Sequence, residues 1–476
     1  MVLPPPYFAD AFNYFTAARR WPNIFTPGVA AEEWPFIPVD LKMWHMTRTA
    51  LVLPTRVVQE IFGTGQLAYG VTTALLAVIF ALGCYFAGRA LFGDLVGVLT
   101  PFLILVHPYF TMVDTFEPDV VSSAHGILPD QLGAGLYAIG VACLVVAARR
   151  DGRARTLLLV AAGLGFGTAY LAREFVAFMF AAIPVFCWLL RIPLRRLVTV
   201  ALPMLGVFLA EVVYSAIIFA DPLARLRVAE TDVELDDPAT TAEVLLRFWQ
   251  STNNWHPLGV VFAAALAITA VGWLLTRDRR LAVILVWFGS LWVPLTLMSG
   301  VLDPSTPSLR SWVVRYWMPV YPALMIGALG ACVLLVRRIP WRRRGLLRAA
   351  GVLALAGVTL VGYLLPAGRE ILGEDRDEPW NEFRTWLSHH GEVTTIRTDI
   401  RTGQTLHFYV RTPRGESVWN GSVEAFPPRQ YSIPDEARSG PLFTSRWTFF
   451  RNGPDESSEW HVVWRSSNGL LELWDR

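Results

Sequence analysis

The chain has 476 residues, 54% of them hydrophobic and only 17% charged, and its apolar residues run in long blocks instead of amphipathic stripes. Its 41 basic and 39 acidic residues leave a net charge of +2, which by itself says nothing of nucleic acid; no interleaving of basic and aromatic residues suggests that partner, which is set aside. The composition is that of a polytopic membrane protein. Cys84, Cys143, Cys187 and Cys332 each stand singly inside an apolar block with no CxxC spacing, so they read as packing residues and not as ligands or disulfides.

The first residues, MVLPPPYF, lack the basic region and apolar core of a cleavable signal peptide. Asp10 follows among Phe8, Phe12, Tyr14 and Phe15, aromatics that would bury one face of a helix near an interface. The plainer reading of Asp10 is a solvated acid in a terminal segment. Residues 41–63 mix apolar and basic side chains around Pro54 and suit an interfacial helix better than a span. A span needs about 20 apolar residues. Blocks near that length lie at 66–88, 95–113, 131–148, 156–172, 175–190, 197–219, 257–276, 281–300, 316–336 and 347–366, which predicts ten transmembrane helices. The pair at 156–172 and 175–190 is split only by Arg173 and Glu174, so a tight hairpin and a broken, re-entrant element both fit.

Arg89, the cluster from Arg149 to Arg155, Arg191 to Arg196, Arg277 to Arg280 and the run from Arg337 to Arg348 fall in alternate loops, which assigns those loops to the cytoplasm. The intervening loops are acidic, with Glu117, Asp119 and Asp130 in one of them. Both the first 62 residues and the last 110 are then expected outside. After Pro366 the composition changes: a helix near PWNEFRTWLSHH precedes alternating runs VTTIRT, TLHFYV, FTSRWTFF, EWHVVWRS and LLELW, the pattern of a small extracytoplasmic α+β domain. The expected organisation is a first outer loop over 1–63, a transmembrane domain over 64–366 and a soluble domain over 367–476.

Ionisable groups at membrane depth cost about 2.5 to 3.5 kcal/mol each on insertion scales, so those at span ends mark candidate function. Asp10, Glu117, Asp119, Asp130, Arg173, Glu174, Glu211 and Arg315 share the predicted outer side. Asp130 precedes a span and could simply cap it; Arg173 and Glu174 could form a surface ion pair of little worth; Arg315 could anchor at the interface beside Tyr316 and Trp317. Together, Arg173 and Arg315 would offer forked donors to a phosphate. No Walker loop, HExxH helix, nucleophile elbow or Cys and His cluster is present in the sequence.

These residues resemble the GT-C membrane glycosyltransferases, in particular the protein mannosyltransferase and aminoarabinose transferase branch. DAFNYFTAA and RTALVLPTRVVQEIFG are similar to that family's first outer loop, GRALFGDLVGVL and VHPYF to its next span, and ILPDQLGAGLYAIG to its second acidic loop. Tyr170 to Glu174 resembles its YLxR signature and Arg315 to Pro322 its RYxxPxxP signature; DPLARLRV, Asp221 to Val228, is also similar. The matches run in order over about 320 residues. Two departures stand out: the family's span before the catalytic acid is missing, which points to a shortened start, and Ala11 replaces the second acid of the family's DE pair.

The resemblance implies a GT-C-like α-helical polytopic membrane fold and inverting transfer of a sugar from a polyprenyl-phosphate donor to an envelope glycan, lipid or protein outside the cytoplasm. It assigns Asp10 as general base, Asp130 as the group positioning acceptor or base, and Arg173 and Arg315 as holders of the departing phosphate, with Tyr14, Glu174 and Tyr316 in support. No metal site is expected from the residues; a divalent cation is left open. The alternatives are a flippase or transporter of lipid-linked sugars, and a glycan polymerase or ligase.

Overall fold

The computed structural model describes residues 9–22, 46–105, 127–226, 257–297, 314–338, 378–426, 440–445, 454 and 459–476. Within these, helices occupy nine of the ten predicted apolar blocks; the tenth, 347–366, lies outside the described residues. Two short helices come first, α1 (Ala9–Arg20) and α2 (Thr49–Phe62). The bundle follows: α3 (Gln66–Phe92), α4 (Asp94–Leu105), α5 (Pro129–Ala147), α6 (Gly152–Ala172), α7 (Ala182–Leu189), α8 (Leu197–Phe219), α9 (Pro257–Thr276), α10 (Arg279–Thr296) and α11 (Tyr321–Arg337). Six of the described helices are long and apolar enough to cross a membrane, so the described residues carry six candidate spans where ten were expected. The segments Asp94–Leu105 and Glu174–Leu189 are apolar but shorter.

Small residues bring the helices together. A Cβ at Gly83 of α3 would sit 2.3 Å from the Gly135 carbonyl oxygen of α5, so only glycine permits this approach. At the basic ends of the helices, arginines cap exposed carbonyls: Arg149 donates to Ala90 O at 2.6 Å, Arg280 to Leu91 O at 2.9 Å and Arg338 to Leu275 O at 2.7 Å. Cations placed there also answer the negative end of each helix dipole. Because the chain alternates direction, the charged residues at 130, 173 and 211 lie toward the opposite end of the bundle.

Two of the apolar helices open with 3-10 turns, over Glu174–Ala181 and Val314–Val320. Their carbonyls take buried donors from the bundle: Tyr137 OH donates to Met179 O at 3.1 Å and Trp287 Nε1 to Pro319 O at 3.0 Å. Leaving such donors unmet would cost about 1 to 3 kcal/mol each, so the two turns are pinned to the core. Residues 174–189 thus form one short run of 3-10 and α-helix directly after α6.

α2 buries Leu51, Val52, Thr55, Val58 and Gln59 on one face and exposes Val57 and Ile61 on the other, the pattern of an interfacial helix. It also holds α1, since Gln59 Nε2 donates to Phe15 O at 2.8 Å and Arg56 Nη1 to Arg19 O at 2.6 Å.

The C-terminal elements are α12 (Glu378–Leu387), β1 (Thr395–Asp399), α13 (Ile400–Tyr409), β2 (Ser422–Phe426), β3 (Leu442–Ser445), β4 (His461–Arg465) and β5 (Leu471–Asp475). The sheet runs β2-β1-β3-β5-β4, with β1 parallel to β2 and β3 and β5 antiparallel to β3 and β4. Its core stacks Phe383 of α12 on Phe443 at 4.5 Å and Trp464 at 4.8 Å. TLHFYV, expected as a strand, belongs to α13. Asp399 starts this helix by accepting from Thr402 N at 3.0 Å and Thr402 Oγ1 at 2.5 Å. Thr402, Leu406 and Tyr409 then bury one helical face.

This unit docks on α1, on the turn after α2 and on the start of α3. Phe15, Tyr69 and Phe408 pack edge to face, with centroids 5.5 to 6.0 Å apart. Beside them Thr64 N donates to Arg414 O and Leu67 N to Pro413 O, both at 2.9 Å. A Cβ at Gly65 would lie 2.6 Å from three backbone atoms of the 412–415 turn, so backbone meets backbone here with no side chain between.

Candidate active site

The helix ends build a buried charge cluster. Arg173 follows α6 in extended conformation (φ −141°, ψ 117°), which turns its side chain back into the bundle. There its Nε lies 2.8 Å from Asp130 Oδ1, with both side chains at most 2% exposed. Its guanidinium lies 4.4 Å from the Phe175 ring and 4.7 Å from the Tyr316 ring, and the two rings pack edge to face against each other at 5.1 Å. The alternative reading of Arg173 and Glu174 as a surface ion pair does not describe this site: the two stand 3.5 Å apart within the cluster, and the closer partner of Arg173 is Asp130.

Asp130 stands in the first turn of α5, behind Pro129. It makes no side-chain cap, and neither of its oxygens has a hydrogen-bond partner among the described residues. Capping is thus not its role here. The neighbouring guanidinium charge offsets the burial of the carboxylate.

Glu174 is the hub. Arg48 grips it with Nη2 to Oε1 at 2.6 Å and Nε to Oε2 at 3.3 Å, while Arg173 and Arg225 each stand 3.5 Å away. The guanidiniums of Arg48, Arg173 and Arg225 surround its carboxylate and favour its charged form. Arg48 in turn lies over the Tyr14 ring at 5.4 Å.

Arg225 closes the far side. The chain leaves α8 through Ala220 in the left-handed region (φ 54°), and Asp221 accepts from Leu223 N at 3.0 Å, so the segment turns back on the bundle. Arg225 then meets Glu211 at 2.6 Å, donates to the terminal carbonyls of α6 (Tyr170 O at 2.7 Å and Leu171 O at 3.1 Å) and stacks over the Tyr170 ring at 4.7 Å.

Five of the predicted site residues, Tyr14, Asp130, Arg173, Glu174 and Tyr316, thus fall in one continuous chain of contacts. The backbone of Asp10 lies in α1, one turn before Tyr14, and that of Arg315 lies in the 3-10 turn beside Tyr316; the side chains of both lie outside the described residues, as do Glu117 and Asp119. Sequence reasoning passed over Arg48 and Arg225. Each carried a signal: Arg48 is a cation in a partly apolar segment, and Arg225 lies in the DPLARLRV run. Among the described residues no group of three His, Cys, Asp or Glu could hold a metal ion.

No model of a known protein family matches the chain, and neither does any curated protein. Solved structures do. The crystal structure of ArnT from Cupriavidus metallidurans bound to undecaprenyl phosphate matches with a TM-score of 0.57 and 14% identity, over 99% of this chain and 94% of that one. The apo form of the same protein matches with a TM-score of 0.53, at the same identity and coverage. At this identity the likeness carries the fold alone, and it spans the whole chain. The protein has the fold of ArnT, the GT-C fold that its sequence resemblance implies.

Proposed function

We propose that the chain is a membrane glycosyltransferase that moves a sugar from a polyprenyl-phosphate donor to an acceptor outside the cytoplasm, with inversion. The observation that carries this reading is the meeting of two signatures far apart in sequence: the Arg173 guanidinium lies 4.7 Å from the Tyr316 ring, at the end of a bundle with the ArnT fold. An arginine set against a pair of aromatic rings offers oriented, forked donors to a phosphate whose charge grows as the glycosidic bond breaks. Binding of undecaprenyl phosphate by ArnT supports the same lipid class here.

In this reading Arg173 and Arg315 hold the lipid phosphate and the apolar helices receive the prenyl tail. Asp10, carried on α1, removes the proton from the acceptor hydroxyl as that oxygen attacks the anomeric carbon, a role typically worth about 10² to 10⁴ in rate. Asp130 holds Arg173 in place and so positions the phosphate. The basic helix ends face the cytoplasm, and α1, the charge cluster and the C-terminal unit face outward. Residues 1–63 form the outer loop that delivers the base, 64–366 the membrane domain and 367–476 an outer domain clamped on α1. The acceptor is an envelope glycan, lipid or protein.

The test is transfer of labelled sugar from polyprenyl-phosphate donor in membranes containing the protein. Arg173→Ala is expected to lower transfer by about 10² to 10³, the scale of one lost transition-state donor, and Asp10→Asn to abolish it. Full transfer by either variant would remove that residue from its role. Movement of label across the bilayer without transfer would favour a flippase instead.

A further inference from the structure

The cluster contains its own competitor for the phosphate. Among the described residues three guanidiniums, on Arg48, Arg173 and Arg225, face three carboxylates, on Asp130, Glu174 and Glu211. Two of those carboxylates have a single close arginine: Asp130 faces Arg173 and Glu211 faces Arg225, at 2.8 and 2.6 Å. Glu174 is shared by all three arginines, at 2.6, 3.5 and 3.5 Å. It is also the accessible member: its side chain is 21% exposed, whereas those of Arg48, Arg173 and Arg225 are 2%, 2% and 6% exposed. An anion arriving from outside the protein therefore meets a carboxylate before it meets a guanidinium.

A cluster with equal numbers of opposite charges offers little net attraction to an added anion. The two-pronged contact of Arg48 with Glu174 is also the geometry by which arginine binds a phosphate. We propose that Glu174 is a resident anion: in the resting protein its carboxylate occupies the place of the lipid phosphate, and the phosphate must displace it outward to reach the arginines. This rests on the donor-phosphate reading given above and assigns the residue that sets the strength of that site.

Two consequences follow. A donor phosphodiester with one charge displaces Glu174 weakly, whereas the departing phosphate, which gains charge as the glycosidic bond breaks, displaces it more strongly, so the site favours the transition state over the bound donor. Once the sugar has left, return of Glu174 helps expel the spent lipid phosphate.

The experiment is equilibrium binding of undecaprenyl phosphate to the purified full-length protein in detergent, for wild type, Arg173→Ala and Glu174→Gln. Glu174→Gln is expected to bind about tenfold more tightly, the scale of one charge-assisted contact, and to show stronger inhibition of turnover by added undecaprenyl phosphate. A role for Glu174 confined to holding the arginines in place predicts weaker binding when it is removed. Arg173→Ala is expected to bind more weakly. Weaker binding by Arg173→Ala together with unchanged or weaker binding by Glu174→Gln would overturn the resident-anion proposal and leave the donor-phosphate reading standing. Unchanged binding by Arg173→Ala would overturn both. Should Glu174→Gln fail to fold, Glu174→Asp keeps the charge but retracts it by one methylene, and is expected to bind the lipid phosphate about two- to fivefold more tightly; equal or weaker binding by it refutes the proposal.

Discussion

Removing Arg225 gives the sharpest test of how the cluster is held together. Arg225→Met keeps the apolar stem and deletes the charge, leaving Glu211, whose side chain is only 5% exposed, without its partner at 2.6 Å. It also strips the Tyr170 and Leu171 carbonyls at the end of α6 of their donor. Breaking a buried pair from one side costs about 3 to 5 kcal/mol, because the surviving charge is stranded. Replacing both partners by apolar groups is commonly close to neutral, so Arg225→Met with Glu211→Leu should recover most of that loss, short of about 1 to 3 kcal/mol for the orphaned carbonyls. Unfolding of the detergent-solubilised protein by SDS, followed by the fluorescence of its 19 tryptophans, reads these differences in one series. With Glu211→Leu alone as the fourth corner, the cycle should give a coupling energy of about 2 kcal/mol or more, at the upper end for residues in direct contact. A single Arg225→Met that costs under about 1 kcal/mol, or a double variant no better than the single, would mean that the pair is solvated and the cluster is not the buried network argued above.

Two further changes probe the C-terminal unit. Gly65→Ala places a Cβ 2.6 Å from three backbone atoms of the 412–415 turn, which nothing short of backbone movement relieves; limited proteolysis should then release the C-terminal unit faster, and transferase activity should fall if the unit holds α1 in place. His407, largely buried beside the cations of Arg411 and Arg19, is pushed down to about 4 from 6.5. An unfolded chain takes up the proton near pH 6.5 while the fold resists it to about 4, so the stabilisation is complete above that range and is lost as pH falls through it. The gap between the two values corresponds to about 3 kcal/mol. His407→Gln should flatten the pH dependence of unfolding between 6.5 and 4.5, and an unchanged slope would show that His407 is solvated.

The sequence alone determined most of what a membrane demands. Apolar block lengths follow from the need to satisfy every backbone group inside lipid, and arginines alternate between loops for reasons local to each loop; both are written in consecutive residues. Asp130, Arg173 and Glu174 stood out for the same reason, since a charge beside an apolar block is visible without knowing what it meets. What each one meets was decided only by packing. Arg173 pairs with Asp130 and lies against the Phe175 and Tyr316 rings because the ends of α5, α6 and two 3-10 turns meet. Arg48 and Arg225 joined them through segments whose composition reads as ordinary interface and loop. TLHFYV shows the same limit on a smaller scale: six residues of mixed apolar character fit strand or helix, and the Asp399 cap together with the contact of Phe408 on Phe15 and Tyr69 selects the helix. Charge placement is a property of the chain, whereas charge pairing depends on which distant helix ends the fold brings within a few ångströms.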